Sequence, residues 1–157
     1  RWQLVLVHNV GVLAIALQIC IGYLLSGTYK LQGAAWVDGT ALRSVLRVPE
    51  YYRPGPTDLL LASEVASALA GYAAVALLVF FPVLVLHRRF RPWAVGAMVA
   101  FHVSIGVMMG LQTFALTMIA CDLVLVDSHV ARVLVALRRT TTRVLPWTRA
   151  GTPVSGP

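Results

Sequence analysis

The chain has 157 residues, of which 59% are hydrophobic and 12% are charged, and its mean hydropathy is +0.79. Soluble globular domains carry about twice that share of charged residues, so these values exclude a soluble domain and indicate an integral membrane protein. The formal net charge is +7, but the basic residues lie between and after the apolar runs and form no basic face interleaved with aromatic residues. This distribution favours contact with anionic membrane lipid and excludes nucleic-acid binding.

The first apolar run, residues 4–25, carries no formal charge. At about 1.5 Å per residue it can cross a hydrocarbon core of about 30 Å, and it predicts a transmembrane helix over about residues 3–27. Small and polar residues recur along it at helical spacing, and we predict that this stripe faces other helices. The stripe consists of Gly11, Ala14, Gln18 and Gly22. The chain begins with Arg1 and lacks a signal-peptide cleavage pattern, so we expect a fragment, a processed chain or part of a longer protein.

A polar outer loop is predicted over residues 28–58, with a short helix that begins near Asp38. Lys30 lies just beyond the apolar run, close to the membrane–water boundary. Partial removal from water favours the neutral amine, the form that can act as a base. The alternative is a structural lysine that reaches towards water beside Tyr29 and Trp36 in an aromatic belt.

The second apolar run predicts a helix over residues 59–86, interrupted only by Glu64. Glu64, Ala68 and Gly71 share one helical face, so we expect the carboxylate to point into the bundle near one end of the helix. For this carboxylate we favour a structural ion pair with Lys30 or with an arginine of the outer loop.

A basic cluster at residues 87–91 precedes Pro92 and predicts a cytoplasmic turn before the next helix. The apolar sequence from 92 to 126 exceeds one crossing, so one long tilted helix or two short helices would fit. The basic tail should lie on the same side as the cluster, which favours two helices over about 92–109 and 111–127. The turn between them falls near Gly110.

These elements predict an all-α, polytopic transmembrane bundle of about four helices over residues 1–126, followed by a basic cytoplasmic tail over 127–157. Within the tail, Val130, Val133, Leu134 and Leu137 share one face and predict an interfacial amphipathic helix. The predicted location is the inner (plasma) membrane, with both termini cytoplasmic and the loop outside.

Four further side chains lie inside apolar runs. His102 is either a functional group or a hydrogen-bonded packing histidine. Asp122 could belong to a proton relay, but we favour pairing with an arginine near the cytoplasmic face. Cys20 and Cys121 fall at different depths, so we expect no disulfide between them. No cluster of residues has metal-ligand spacing, and the glycines near Lys30 form no phosphate loop.

Two segments of the sequence form a recognisable pattern. The first joins Ser26–Leu31 to Trp36–Gly39, and the second joins Phe101-His102 to Gly110–Phe114 and Met118–Ala120. Together they resemble the vitamin K-dependent γ-carboxylases and their bacterial relatives, the HTTM domain proteins, which include a protein that matures a sporulation-delaying toxin. The resemblance implies that Lys30 deprotonates a quinol (menaquinol or a vitamin K-like molecule), with His102 in the same catalytic region. It also implies that Tyr29, Trp36 and His102 contact that cofactor.

The resemblance implies quinol-linked modification or maturation of an exported peptide. Val79 stands where relatives often carry an acidic residue. The sequence also lacks the helices that precede the first one in relatives and the large extramembrane region of the carboxylase, so carboxylation of glutamate by this chain alone is not expected. The competing hypothesis is a noncatalytic membrane subunit or anchor that packs against partner membrane proteins; a small-solute carrier is a weaker third. The enzyme hypothesis predicts one pocket that joins Lys30 to His102 and opens toward lipid, whereas the anchor hypothesis predicts these side chains apart or Lys30 exposed to water.

Overall fold

A computed structural model describes residues 2–126 as a bundle of helices, and this part of the chain contains no strand. Three helices are long and apolar enough to cross a membrane: α1 (Trp2–Leu31), α5 (Glu64–Leu86) and α6 (Arg91–Met109). A fourth apolar helix, α7 (Gln112–Val124), is shorter. Three short helices lie between α1 and α5: α2 (Ala34–Val37), α3 (Ala41–Leu46) and α4 (Pro56–Leu61). The predicted all-α membrane bundle is therefore confirmed, whereas the predicted tail helix lies outside the described residues.

The short helices cover one end of the bundle, which we call the loop end, where α1 finishes and α5 begins. Thr57 is fully buried there, and its hydroxyl donates to the carbonyl of Met108, 3.0 Å away at the end of α6. The hydroxyl of Tyr72 on α5 donates to the carbonyl of Val37 on α2, at 2.7 Å. These bonds fix the loop segment to the long helices, so residues of both can build one site.

The first helix continues beyond the end of its apolar run. It ends at Leu31, so Lys30 lies in the last helical turn and not in the loop. Two side chains support this extra turn, since Thr28 Oγ1 donates to the carbonyl of Leu25 and Lys30 Nζ donates to Ser26 Oγ, one turn earlier. The predicted helix ended at about residue 27 because polar residues follow it, but the side chains of Thr28 and Lys30 form hydrogen bonds within α1 and extend it to Leu31.

The buried face of α1 differs from the predicted one. The buried residues are Ala16, Ile19, Tyr23 and Gly27. The predicted stripe of Gly11, Ala14, Gln18 and Gly22 is exposed instead. Both sets have helical spacing, so spacing alone could not choose between them. The ring of Tyr23 packs edge-on against Phe81 of α5, at 5.1 Å between centroids, and this contact turns the Tyr23 face inward.

The prediction that Glu64 points into the bundle is wrong. Glu64 is the first residue of α5, and its side chain is 87% exposed. Its Oε1 lies 3.4 Å from Arg43 Nη1, so the expected pair with a loop arginine does form. A carboxylate in the first turn is favoured by the helix dipole, and Ser63 caps the same turn by accepting from the amide of Ala66. The pair is structural.

The basic turn and the break near Gly110 are both present in the structure. Pro92 lies in the first turn of α6, and Gly110 and Leu111 separate α6 from α7. One residue of the basic cluster does not face water: Arg91 is 6% exposed, and its Nε donates to the carbonyl of Val85 at 2.9 Å. That arginine joins α6 to the end of α5.

Asp58 stabilises the start of α4 in a pH-dependent way. Its carboxylate accepts from the amide of Gly55 at 3.0 Å and from the hydroxyl of Tyr52 at 2.7 Å, and these bonds lower the pKa of Asp58. Because the folded pKa lies below the unfolded value, the stabilisation is present above about pH 4 and is lost as the pH falls through the folded pKa. We expect Asp58→Asn to reduce the difference in melting temperature between pH 6 and pH 3. The exposed carboxylate variant Asp38→Asn is the control; an equal reduction there would contradict the assignment.

Candidate functional site

A cavity of about 890 Å³ opens between α1, α3, α5, α6 and α7, on the loop-end side of the bundle. This volume is within the usual range of about 300–1,000 Å³ for small-molecule sites. Its wall is mainly apolar and includes Ile15, Ile19, Leu78, Phe101, Ile105, Phe114 and Met118. Polar groups enter it from a few positions only, namely Gln18, Tyr23, Ser26, Lys30, Tyr51 and His102, with the thiol of Cys121. An apolar wall with few polar groups is typical of sites that bind apolar molecules with a polar ring or head.

One side of α1 supplies the polar groups nearest the loop end. Gln18, Gly22, Ser26 and Lys30 follow one another at four-residue intervals, so they line the cavity along a single helical face. Lys30 Nζ donates to Ser26 Oγ at 2.9 Å and lies 5.3 Å from the centre of the Trp36 ring. The lysine side chain therefore turns back along α1 towards the cavity and is held against an aromatic face.

A second polar group lies deeper, where α1, α6 and α7 meet. The hydroxyl of Tyr23 donates to Asp122 Oδ1 at 2.7 Å, and His102 Nδ1 lies 3.2 Å from Asp122 Oδ2. His102 is 2% exposed and Asp122 is fully buried. The His102 ring is surrounded by aromatic rings, at centroid distances of 5.8 Å from Tyr23, 5.4 Å from Phe101 and 6.0 Å from Phe114. A buried carboxylate is thus shared by one tyrosine and one histidine.

The two polar groups are close along the helix axis. Tyr23 and Ser26 are three residues apart, which is about 4.5 Å along α1. Lys30 folds back onto Ser26, one turn earlier on α1, and Tyr23 packs beside the His102 ring. Lys30 and His102 both line the cavity.

The structure brings together three of the four residues predicted for the site. Lys30, Trp36 and His102 all line the cavity, whereas Tyr29 is 70% exposed and does not line it. Tyr29 points elsewhere because it precedes Lys30 by one position, which is about 100° around the helix.

The sequence had suggested an arginine partner for Asp122, but among residues 2–126 its partners are His102 and Tyr23. Sequence reasoning also missed Tyr23 and Ser26 as site residues. The available signals were the four-residue interval back from Lys30 to Ser26, and the similar depths of Tyr23 and Asp122, about eight and ten residues from the loop end.

Cys20 and Cys121 are both free thiols, as expected from their positions in the sequence. Cys121 lines the cavity, and Cys20 packs against the core cluster that includes Tyr23. Neither residue joins the polar group through a hydrogen bond among the described residues. The thiols are therefore small packing residues next to the site.

The motif that follows Lys30 has a structural explanation. Trp36 lies in α2 beside the amine, and Asp38 ends that helix. Gly39 then adopts φ 73°, a left-handed conformation, directly against α5, where a methyl group on it would lie 2.9 Å from Ala68 Cβ. Glycine is needed because any side chain would add strain and also push α2 away from α5. The close packing of Gly39 against α5 therefore holds the Trp36 ring next to the Lys30 amine.

We expect Gly39→Ala to lower stability and to move Trp36 away from the amine. Gly55→Ala is a matched control, because Gly55 also has a positive φ of 91° but has no atom within 4 Å of the added methyl group. Both variants add backbone strain, about 1–2 kcal/mol for a left-handed conformation at Gly39 and a larger amount at Gly55, where ψ is −78°. The contact with α5 is therefore tested by the position of Trp36, and not by the size of the stability loss. We expect the Trp36 fluorescence in lipid nanodiscs to change in Gly39→Ala and to stay unchanged in Gly55→Ala. The same Trp36 fluorescence in both variants would contradict the role given to Gly39.

The HTTM domain family matches residues 5–129, which include nearly all of α1, the whole of α5, α6 and α7, and the residues that line the cavity. No curated protein and no solved structure matches the chain. The family match agrees with the resemblance carried by the segments around Lys30 and His102. This chain is a membrane protein that belongs to the HTTM domain family.

Proposed function

We propose that this protein is a membrane enzyme that binds a quinol in the cavity and uses Lys30 as a base, in the modification or maturation of an exported peptide. The observation that carries the proposal is that Lys30 and His102, which are far apart in sequence, line one cavity. This is the arrangement that the enzyme hypothesis requires and that the anchor hypothesis does not.

The residues that line the cavity fit a quinol. Trp36, Phe101 and Phe114 offer aromatic surfaces to a planar ring, and the apolar wall suits an isoprenoid tail. Lys30 and His102 offer nitrogen atoms to the ring oxygens. A bound quinol would supply two-electron reducing chemistry. Tyr29 is not included among the cofactor contacts because it lies outside the cavity.

The surroundings of Lys30 suit a base. Among residues 2–126, the ion pairs join Arg43 to Glu64 and His102 to Asp122, so Lys30 has no carboxylate partner there to hold it as an ammonium ion. The amine is partly removed from water, and Ser26 Oγ keeps it directed along the cavity wall. A general base must lie within hydrogen-bonding reach of the proton it removes, and Lys30 can reach an oxygen in this cavity.

The proposal includes a location and an orientation. The basic turn after α5 favours the cytoplasmic side of the inner membrane, which places the loop end and Lys30 outside. In that orientation the amine faces the compartment in which an exported peptide is found. Labelling of single cysteines by a membrane-impermeant reagent tests it, in a protein whose two native cysteines, Cys20 and Cys121, are replaced with alanine. We expect labelling in intact cells at Gly55→Cys but not at Arg88→Cys. The reverse pattern would contradict the orientation.

Binding of menaquinone is the test of the cavity. Gly22 lines the cavity, and a Cβ atom added there has no atom within 4 Å, so we expect the side chain of Gly22→Leu to extend into the cavity without displacing the helices. In nanodiscs, we expect menaquinone to quench the tryptophan fluorescence of the parent protein in a saturable way and to lose that effect in Gly22→Leu. Gly11→Leu is the matched control, because a Cβ atom at Gly11 also has no atom within 4 Å but Gly11 lies outside the cavity. No saturable quenching in the parent, or unchanged quenching in Gly22→Leu, would contradict the proposal.

The alternative function is a noncatalytic membrane subunit. It is favoured by the first third of α1, where large apolar side chains from Trp2 to Val10 are exposed and no helix of the described chain covers them. Such a face suits lipid or a partner helix. If the chain is a subunit, Gly11→Leu should dissociate a complex that survives Gly22→Leu, which native gel electrophoresis would show.

A further inference from the structure

Both polar contacts of the His102 ring are made by the same nitrogen, Nδ1. Nδ1 lies 3.0 Å from the carbonyl of Met98 and 3.2 Å from Asp122 Oδ2. Both neighbours are hydrogen-bond acceptors when the carboxylate is ionised, so Nδ1 must carry a hydrogen. In a neutral imidazole only one nitrogen carries a hydrogen, and Nε2 is therefore left with a lone pair.

Of the two acceptors near Nδ1, the Asp122 carboxylate gains more from the hydrogen than the Met98 carbonyl does. The carbonyl of Met98 already accepts the helical bond from the backbone amide of His102, four residues later. Asp122 Oδ2 is buried and has no hydrogen-bond partner among the described residues, whereas Oδ1 is bonded to the Tyr23 hydroxyl. His102 Nδ1 lies 3.2 Å from Oδ2, but the Met98 carbonyl is the acceptor that meets hydrogen-bond geometry at Nδ1. Leaving a buried carboxylate oxygen unpaired is costly, so we expect a small rotation of the ring to share the hydrogen on Nδ1 with Asp122.

We propose that Asp122 and Tyr23 are positioning residues for His102. Tyr23 holds Oδ1, which orients the carboxylate beside Nδ1. The carboxylate and the Met98 carbonyl together favour the hydrogen on Nδ1, which leaves Nε2 as the acceptor of a ring that lines the cavity. When Nε2 takes the proton of a ligand hydroxyl, the bonding pair stays on that oxygen and Asp122 stabilises the resulting imidazolium. The cavity then has two acceptors, the amine of Lys30 and the imidazole of His102. The identity of the ligand that Nε2 contacts rests on the proposed function, whereas the tautomer of His102 does not.

Nitrogen-15 NMR of histidine-labelled full chain in liposomes, without ligand, tests the proposal. A nitrogen with hydrogen and one without have well-separated shifts, and couplings to the ring hydrogens identify each nitrogen. At pH 9 we expect His102 to carry hydrogen on Nδ1 and none on Nε2, with the signals assigned from their loss in His102→Gln. His87 is an internal reference, since its Nδ1 also lies near the carbonyl four residues earlier, at 2.9 Å, but is not paired with a carboxylate. Hydrogen on His102 Nε2 at pH 9 would overturn the proposal.

The variants test the role of the carboxylate. Asp122→Asn should shift the His102 nitrogen signals or give a second tautomer while those of His87 stay unchanged, and Asp122→Glu should restore part of the parent pattern. Tyr23→Phe should give a smaller shift, and it replaces Asp122→Asn if that variant does not fold. Unchanged His102 signals in the folded variants would overturn the positioning role. The expected tautomer without quinol turnover would instead count against the proposed function, so the two failures are distinguishable.

Discussion

Replacing Lys30 with alanine is expected to reduce quinol oxidation by about 10²–10⁴-fold, the usual effect of removing a general base. The reason is that Lys30 lines the cavity and is the single lysine among the 157 residues, so no other lysine amine can replace it as the base. The assay uses full-length protein in nanodiscs with menaquinol, oxygen and carbon dioxide. Melting temperature is measured in parallel, so that a folding defect is recognised.

The Lys30→Arg variant distinguishes two possible roles of Lys30, which are accepting a proton and supplying a positive charge. Arginine stays protonated, so it keeps the cation near Trp36 but cannot accept a proton. We expect Lys30→Arg to be as inactive as Lys30→Ala while binding menaquinone. If Lys30→Arg keeps full turnover, Lys30 acts only through its charge and the base assignment is wrong. If no variant and no parent protein turns over menaquinol, the subunit hypothesis is favoured.

Replacing Gly27 with alanine is expected to destabilise the bundle more than any other small change on α1. A methyl group at Gly27 would lie 2.7 Å from Val79 Cγ2 and 3.1 Å from the Val79 amide nitrogen, on α5. The backbone atom cannot move without moving the helix, so α1 and α5 must separate. Overpacking of this kind costs about 1–3 kcal/mol, and it would also disturb the Tyr23 contacts one turn away.

Gly11→Ala is the control for this prediction, because a methyl group there meets no atom within 4 Å. A Val79→Ala change in the Gly27→Ala background removes the nearest of the clashing atoms and should recover part of the stability. Thermal unfolding in nanodiscs measures all three variants. Equal stability of Gly27→Ala and Gly11→Ala would show that α1 and α5 do not cross closely at this point.

Much of the fold could be predicted from apolar run length and charge. The basic clusters distinguished two helices from one long helix after residue 92, because two crossings keep both clusters on the same side. Helix faces were harder to predict. Small residues at helical spacing on α1 suggested the Gly11 to Gly22 stripe, but the bulky Tyr23 and the close contact at Gly27 decide which face is buried. Glu64 was misplaced because a first-turn carboxylate is stable in water and needs no bundle interior.

The site was predicted in part, and chiefly through the family resemblance. That resemblance identified Lys30, Trp36 and His102, which the fold does bring to one cavity. Tyr23 and Asp122 were missed because their contact joins positions 99 residues apart, and no local pattern records such a pairing. Depth along each helix gave a hint, but depth does not determine which faces of α1, α6 and α7 meet.

The most direct test of the shared cavity is the rate at which an amine-specific acetylating reagent modifies Lys30, with and without menaquinone. Mass spectrometry of one peptide reports it, because Lys30 is the single lysine in the sequence. If the cavity holds the quinone beside the amine, menaquinone slows acetylation in the parent protein and in Gly11→Leu, but not in Gly22→Leu. A rate that menaquinone leaves unchanged in the parent protein would contradict the account.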